Sequence, residues 1–526
     1  MSAVSVLEFF APTDTDLVDG VIASYRDDLA KINRVCQFLH GDGLASVVHF
    51  FITGNSDSRQ RFSWSVDKLF SHDGAIAALN AHYWHRIMQM TDVLDCMPAK
   101  RREEWFEHIQ AMTTPEFEEE TVRATLSDLL AQRGKFLAER VDGIFRALSR
   151  EHVTNRPEGF SKRMILTGVT NDWGGYARSQ TGHINDLRCI IAKFMHRDEP
   201  DWDASNRMVE VARQYHRGEW MEVDGGALRF RCYLNGNAHI DVHPDIAWKL
   251  NQILALLYPK AIPSQFRTAP KREARRAYTL MERPLPFAVL RMLSDMRQVD
   301  RDPCRLEFGH GDKDKHVLEE AASVLAAIGG VRSQEAHRAI CSFGYDPSPV
   351  IRQIIVSGCV PDHKSHQFYP TPASLAARAI DLAEIGDGHS CLEPSAGTGS
   401  LADLLPKGRT TCVEISALHA AILRQKGFSV MEGDFLEFAR DWPERYDRIV
   451  MNPPFSQGRW QSHIEAAAGM LSSDGRLVAI VPASAIGKFC LPGLNVAYHG
   501  PFDNQFSGAS ISVTIMVVDN EKRGSP

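Results

Sequence analysis

Residues 446–455 read Tyr-Asp-Arg-Ile-Val-Met-Asn-Pro-Pro-Phe, and this stretch limits the possible folds more than any other. Arg448 to Met451 is a short apolar run of the kind that forms a buried strand. Pro453 and Pro454 follow, and neither has a backbone N–H, so the strand must end there. A rigid loop at the carboxyl end of a strand remains. It offers the Asn452 side-chain amide, two backbone carbonyls and the Phe455 ring. In an open α/β sheet, ligands bind at that end. These groups suit a planar substrate with an NH2 group, because amide and carbonyl oxygens accept its hydrogens and the ring stacks on its face. Taken alone, Asn-Pro-Pro-Phe also fits a proline-rich turn after a core strand.

The strands upstream repeat the pattern. Ser390 to Glu393 reads as a strand running into Pro394-Ser395-Ala396-Gly397-Thr398-Gly399, where glycines let a ligand approach the backbone. Thr411 to Val413 ends in Glu414, placed where an acid can grip two ribose hydroxyls. Ser429 to Met431 is followed by Asp434-Phe435. From Glu393 through Glu414 and Asp434 to Asn452 the steps are 21, 20 and 18 residues, the length of successive βα units. Polar groups at four strand ends point to one ligand-binding edge. The later strand Gly475 to Pro482 and a hairpin ending in Ser510 to Val518 complete a sheet. Arg459 and His463 either line a substrate channel or begin the next helix.

This order, with Gln367-Phe368-Tyr369-Pro370-Thr371-Pro372 ahead of the glycine loop, resembles the class I S-adenosylmethionine-dependent methyltransferases over about residues 355–520. More narrowly, it is similar to those that act on adenine N6. The resemblance implies a seven-stranded doubly wound sheet and S-adenosyl-L-methionine as cofactor. It places Phe368, Tyr369 and Thr371 beside the methionine end, and Glu393, Ser395, Gly397 and Gly399 in the loop beneath it. Glu414 would hold the ribose, Asp434 the cofactor's adenine amino group, and Phe435 would flank that ring. Asn452, Pro453, Pro454 and Phe455 would form the catalytic loop, with Phe455, Phe506 and Arg459 toward the substrate. The implied activity is site-specific DNA adenine methylation of the phage or plasmid modification type. Methyltransferases of RNA guanine, protein glutamine and cytosine N4 share such a loop, and an inert methyltransferase fold that binds nucleic acid is a further alternative.

The preceding 350 residues read differently. Apolar residues at helical spacing, such as Leu17, Val21, Tyr25 and Leu29, and later Val122, Leu126, Leu129 and Phe136, predict a mainly helical region over 1–155. His82 and His85 beside Trp84 are a metal pair or part of a packed core. Residues 156–258 read as α+β: strands to Val223, from Ala227 and from Ala238, then a helix opened by Pro244. His239, Asp241 and His243 alternate there, as a polar solvent face or a site would. Arg163-Met164-Ile165 and the turn Leu234-Asn235-Gly236-Asn237-Ala238-His239-Ile240 resemble an uncharacterised domain family often fused to phage and plasmid methyltransferases, over roughly 45–260. Residues 259–313 read as a linker whose basic cluster, Lys271, Arg272, Arg275 and Arg276, is a solvated run or a phosphate-contacting arm. Residues 314–357 form a small helical or winged unit, and 358–520 the methyltransferase domain.

Composition excludes little else. A formal charge of −7 over 526 residues rules out a wholly basic coating protein but not a local nucleic-acid groove. The ten cysteines include no C-x-x-C pair, which fits reduced thiols in a cytoplasmic protein without a zinc ribbon. No bilayer-spanning run is read. Many DNA members of the family carry a target-recognition domain after the last sheet strand. Here only Asp519 to Pro526 follow, so recognition is expected from the N-terminal 350 residues or from a partner.

Overall fold

The computed structural model describes residues 15–41, 47–48, 50–51, 66–170, 177–270, 280–281, 283–309, 314–335, 338–360, 369–455, 458–503, 505–506 and 511–520. The chain divides into two units. One comprises residues 1–221 and 226–280, the other 222–225 and 281–526. No helix among the described residues is long and apolar enough to cross a membrane.

Among the described residues, the first unit is mainly helical from Thr15 to Ser149. Its main helices are Thr15–Gly41, His72–Gln89, Ala99–Gln110 and Glu119–Ser149. Tyr25, Tyr83, Trp84 and Phe117 pack ring against ring, and the Tyr25 hydroxyl donates to buried Asn80 at 2.8 Å. The paired histidines join this aromatic layer, His82 against Tyr83 and His85 against Phe106. A four-stranded sheet follows, of which three antiparallel strands lie wholly in this unit. Ala238–Val242 lies between Met164–Leu166 and Leu228–Cys232, with Met164 opposite Ile240 and Phe230 opposite Ile240 on its other side. Alternate residues of each strand are buried, so one face joins the core and the other stays open. His239 and Asp241 share the open face. His243 departs from it: the strand ends at Val242, and the buried His243 side chain caps the helix Pro244–Leu257 by accepting from the Asp245 N–H at 3.2 Å.

The second unit has regular structure where the sequence reads as linker. Residues 259–313 were expected as linker, yet Phe287–Ser294 is a helix, and Arg297–Val299 and Asp302–Glu307 are strands. These strands join Arg338–Ser342 and Val331–Glu335 in a four-stranded antiparallel sheet. Pro286 starts the helix rather than breaking structure, and Phe287, Val289, Leu290 and Leu293 are buried. The basic cluster at 271–276 lies outside the described residues.

The larger sheet of this unit has seven strands: β1 (Cys391–Pro394), β2 (Thr410–Glu414), β3 (Ser429–Glu432), β4 (Tyr446–Met451), β5 (Leu471–Pro482), β6 (Leu494–Phe502) and β7 (Val513–Asn520). Their order is β3-β2-β1-β4-β5-β7-β6, and β7 alone runs opposite to the other six. This is the doubly wound α/β arrangement expected for the C-terminal domain. The central strands β4 and β5 carry unbroken apolar runs toward their carboxyl ends: Ile449 to Met451 and Leu477 to Val481 are completely buried. Helices α1 (Ala373–Ala383), α2 (Ala417–Gln425), α3 (Phe435–Asp441) and α4 (Arg459–Ala468) belong to this domain. Chain order reverses between β1 and β4, which opens a crevice at their carboxyl ends.

Candidate active site

A cavity of about 470 Å³ lies at that crevice. Its wall takes a residue from each of four strand ends: Glu393 within β1, Glu414 as the last residue of β2, Asp434 after β3 and Asn452 after β4. Segments far apart in sequence thus meet because parallel strands present their carboxyl ends on one edge.

The three acids sit in different surroundings. Glu414 is buried, but its carboxylate accepts from the Gly397 N–H at 2.6 Å and the Ser416 N–H at 2.8 Å. Burial alone would raise its pKa. The hydrogen bond from His419 and those backbone donors outweigh burial and hold it below the usual carboxylate range. Glu393 has the opposite balance. Burial pushes its carboxyl well above the usual range, the Ala402 N–H offsets this only in part, and the nearby Glu414 charge adds to the rise. Its Oε2 finds no hydrogen-bond partner among the described residues. Asp434 begins α3: its Oδ1 accepts from the Leu436 N–H at 2.8 Å, and its Oδ2 lies 3.3 Å from Arg459 Nη2.

The glycine loop adopts left-handed backbone at Ser395 (φ 65°) and at Gly397 (φ 57°). The turn at Gly397 aims its N–H at Glu414, and Ser395 is one of few side chains to adopt that conformation. Ser395 Oγ lies 3.4 Å from His463 Nδ1. Gly399 was expected to bind cofactor but does not line the cavity. A Cβ there would stand 3.0 Å from Leu423 Cδ2, so this glycine lets the loop pack on α2.

Asn452 carries the decisive contact. Its Nδ2 donates to Thr371 Oγ1 at 3.1 Å and approaches the Tyr369 carbonyl at 3.4 Å. A carbonyl can only accept, so these partners fix which end of the amide is nitrogen. The Asn452 oxygen is then left to accept from something else. The segment before the glycine loop therefore sets the orientation of the loop after β4. Phe455 lines the cavity and packs against the core on both sides of the sheet. Phe506 is buried edge-on to Tyr369 with ring centroids 6.4 Å apart. Pro453, Pro454, Phe435 and Arg459 line the cavity as well. Phe368 lies outside the described residues.

Three wall residues had no clear sequence signal. His419 reaches Glu414 from within α2, and Ile415 and Ile511 add apolar wall. His463 proves to line the cavity. Burial holds its imidazole down at about 4, it packs on Phe435, and its Nε2 has no partner among the described residues.

Residues 76–260 match the family described as Domain of unknown function (DUF4942). No curated protein matches the chain. Among solved structures, a protein from Pyrococcus horikoshii assigned as an RNA methyltransferase is 24% identical, with 32% of this chain and 90% of that one covered and a TM-score of 0.27. The 23S rRNA methyltransferase ErmE is 20% identical over 30% of this chain and 71% of its own, with a TM-score of 0.25. A precorrin-6y C5,15-methyltransferase from Geobacter metallireducens is 18% identical over 28% and 87%, with a TM-score of 0.23.

Proposed function

We propose that this chain is an S-adenosylmethionine-dependent N-methyltransferase that acts on N6 of adenine in DNA. The observation that carries the reading is the fixed Asn452 amide, whose nitrogen is committed to Thr371 and Tyr369, which leaves its oxygen to accept from an amino group. The cavity suits the cofactor on its own chemistry. A sulfonium and an ammonium favour a wall with three carboxyl groups, and the orphaned Glu393 Oε2 is a buried acceptor that such a cation would satisfy. Glu414 has lone pairs left for ribose hydroxyls beyond the two backbone donors, and Ile415 and Phe435 give an apolar wall for a purine. The bound cofactor would supply an electrophilic methyl group.

The chain's own residues act on the acceptor. The exocyclic nitrogen of adenine is a poor nucleophile because its lone pair is delocalised into the ring. Hydrogen bonds from that amino group to the Asn452 oxygen and the Pro453 carbonyl favour a tetrahedral nitrogen and orient its lone pair. They also stabilise positive charge developing on it. Phe455 offers a ring face to a base taken out of the duplex, which offsets part of the unstacking cost of a few kcal/mol. The test is to incubate the full chain with labelled cofactor and DNA or RNA, digest the product, and identify the nucleoside by mass. N6-methyladenine from DNA, absent with Asn452→Ala, is the expected product. N4-methylcytosine, or transfer to RNA alone, would replace this reading.

A further inference from the structure

The glycine loop after β1 is held by a side chain that does not itself line the cavity. Lys426 stands just past α2 and caps it, its N–H donating to the Ile422 carbonyl at 3.0 Å. Its Nζ turns back to donate to the Thr398 carbonyl at 2.8 Å and to Asp403 Oδ2 at 2.6 Å. The ammonium is the more enclosed partner of that ion pair, with 17% of the lysine side chain exposed against 44% for the aspartate. Nζ lies 3.5 Å from the point where a Cβ on Gly399 would stand, so this glycine leaves room for the lysine as well as for Leu423.

The backbone from Ala396 to Gly399 is tied down on both sides. The Ala396 N–H donates to the Val413 carbonyl of β2 at 3.0 Å, and the Gly399 N–H returns to the Ala396 carbonyl at 2.9 Å. The Gly399 carbonyl accepts from the Asp403 N–H at 2.9 Å, and the Thr398 carbonyl accepts from Lys426. Between these anchors the Gly397 N–H reaches Glu414. Of the anchors, Lys426 is the one supplied by a side chain, and it carries a charge, which makes its bond stronger than a neutral one. The left-handed Ser395 just upstream is strained, and such backbone persists only where its surroundings over-determine it. The lysine's charge also reaches the cavity wall. Burial raises the Glu393 carboxyl most and the Ala402 N–H holds it down; the Glu414 and Asp403 charges add to the rise, and Lys426 opposes it.

We propose that Lys426 is a positioning residue for the methyl donor: by holding the Thr398 carbonyl it keeps the Gly397 N–H on Glu414, and so fixes the carboxylate that takes the cofactor's ribose. The lysine acts through the loop and touches neither the donor nor the acceptor. The identity of the donor rests on the function proposed above; the loop geometry stands apart from it. A wall already set before binding costs less to order, so the contribution is cofactor affinity rather than the rate of transfer once both substrates are bound.

The test uses the full chain, with S-adenosylmethionine affinity read by calorimetry and methyl transfer to a DNA duplex measured in parallel. Lys426→Met keeps the apolar stem and removes the ammonium. Its Kd and KM for the cofactor should rise about tenfold, the size of one charge-assisted hydrogen bond. Its kcat at saturating cofactor and its KM for DNA should stay close to wild type. Lys426→Arg keeps the charge and the donors and should recover most of the affinity. Asp403→Asn removes the ion pair but leaves the bond to the Thr398 carbonyl, and should bind the cofactor like wild type. A thermal melt on each variant checks folding, and Lys426→Gln serves if Lys426→Met unfolds. An unchanged cofactor Kd in Lys426→Met would overturn the proposal. So would a fall in melting temperature and kcat together with no selective loss of cofactor affinity, which marks a structural lysine. An equal loss in Asp403→Asn would assign the effect to the ion pair and overturn it too. Wild type without affinity for S-adenosylmethionine removes the function proposed above, and this role with it. A selective loss of cofactor affinity, with no N6-methyladenine formed by wild type, removes the adenine assignment and leaves this role.

Discussion

Thr371→Val isolates what the Asn452 contact does. The substitution deletes Oγ1 and keeps the side-chain shape at a buried position. Asn452 Nδ2 then has only the Tyr369 carbonyl, at 3.4 Å, and the amide is free to rotate its oxygen away from the acceptor. One neutral hydrogen bond is worth about 1 kcal/mol net. If it serves to hold the reacting geometry, the loss in kcat is about fivefold. Asn452→Ala removes the accepting oxygen itself and should cost on the order of a hundred- to a thousandfold, as deletion of other groups that stabilise developing charge does. The combined variant decides the matter. In the Asn452→Ala background Thr371→Val should have no further effect, giving a coupling of about 1 kcal/mol. The assay is the initial rate of methyl transfer at saturating cofactor, with cofactor affinity measured separately by calorimetry. Thr371→Ser, which keeps the hydroxyl, should restore most of the rate. Equal fivefold losses in both backgrounds would refute the argument, because Thr371 would then act on something other than Asn452.

Three further outcomes follow from the acids and the histidine. Glu393 has its folded-state pKa raised above 4.5, so the native state holds the extra proton and its stability declines as pH rises above 4.5. Glu393→Gln should remove this decline, seen as a melting-temperature difference, variant minus wild type, that grows from pH 4.5 to 8. His463 is the reverse case. With its folded pKa lowered from 6.5 to about 4, the unfolded state binds more protons in that window, and wild type loses stability as pH falls through it. His463→Gln should flatten the melting temperature between pH 6.5 and 4, and an unchanged slope would assign it to other groups. Asp434→Asn keeps the cap on α3 while Asp434→Ala loses about 1 kcal/mol of stability in a denaturant melt. Both should bind S-adenosylmethionine more weakly, and full affinity in the Asn variant would remove Asp434 from the cofactor site.

What could be read from the sequence was contiguous. Glu393, Glu414, Asp434 and Asn452 each follow a short apolar run, and a parallel sheet must bring such ends together, so four local patterns sufficed to draw one edge. Contacts between distant segments left no such trace. Thr371 and Asn452 are 81 residues apart, and nothing local to either predicts that one orients the other. Gly399 shows the limit of a motif: the same residue type serves ligand approach at one position and helix packing two residues later. The linker reading failed for a conformational reason. The hairpin joining Arg297–Val299 to Asp302–Glu307 turns at Asp300 and Arg301, both left-handed, with φ of 54° and 61°. Such turns announce themselves through asparagine or glycine, and Asp-Arg carries no glycine to mark the second position.

The two buried glutamates show how one strand edge can shift two carboxyls in opposite directions. The Gly397 N–H points at Glu414 because Ser395 and Gly397 turn the preceding loop through left-handed backbone, the Ser416 N–H just past the strand adds a second donor, and His419 a third favourable partner. Glu393 lies on the neighbouring strand, one position from the loop's start, and receives a single backbone donor. The charge on Glu414 adds to the rise that burial gives the Glu393 carboxyl, so protonation is favoured on the carboxyl with fewer donors. The loop geometry thus sets the charge pattern of the cavity. Glu414 is biased toward the anion, which suits neutral hydroxyl donors, while Glu393 is biased toward the acid, and a cation beside it would offset its burial. A cationic cofactor is then favoured over a neutral ligand of the same shape by the ionisation it alone can stabilise.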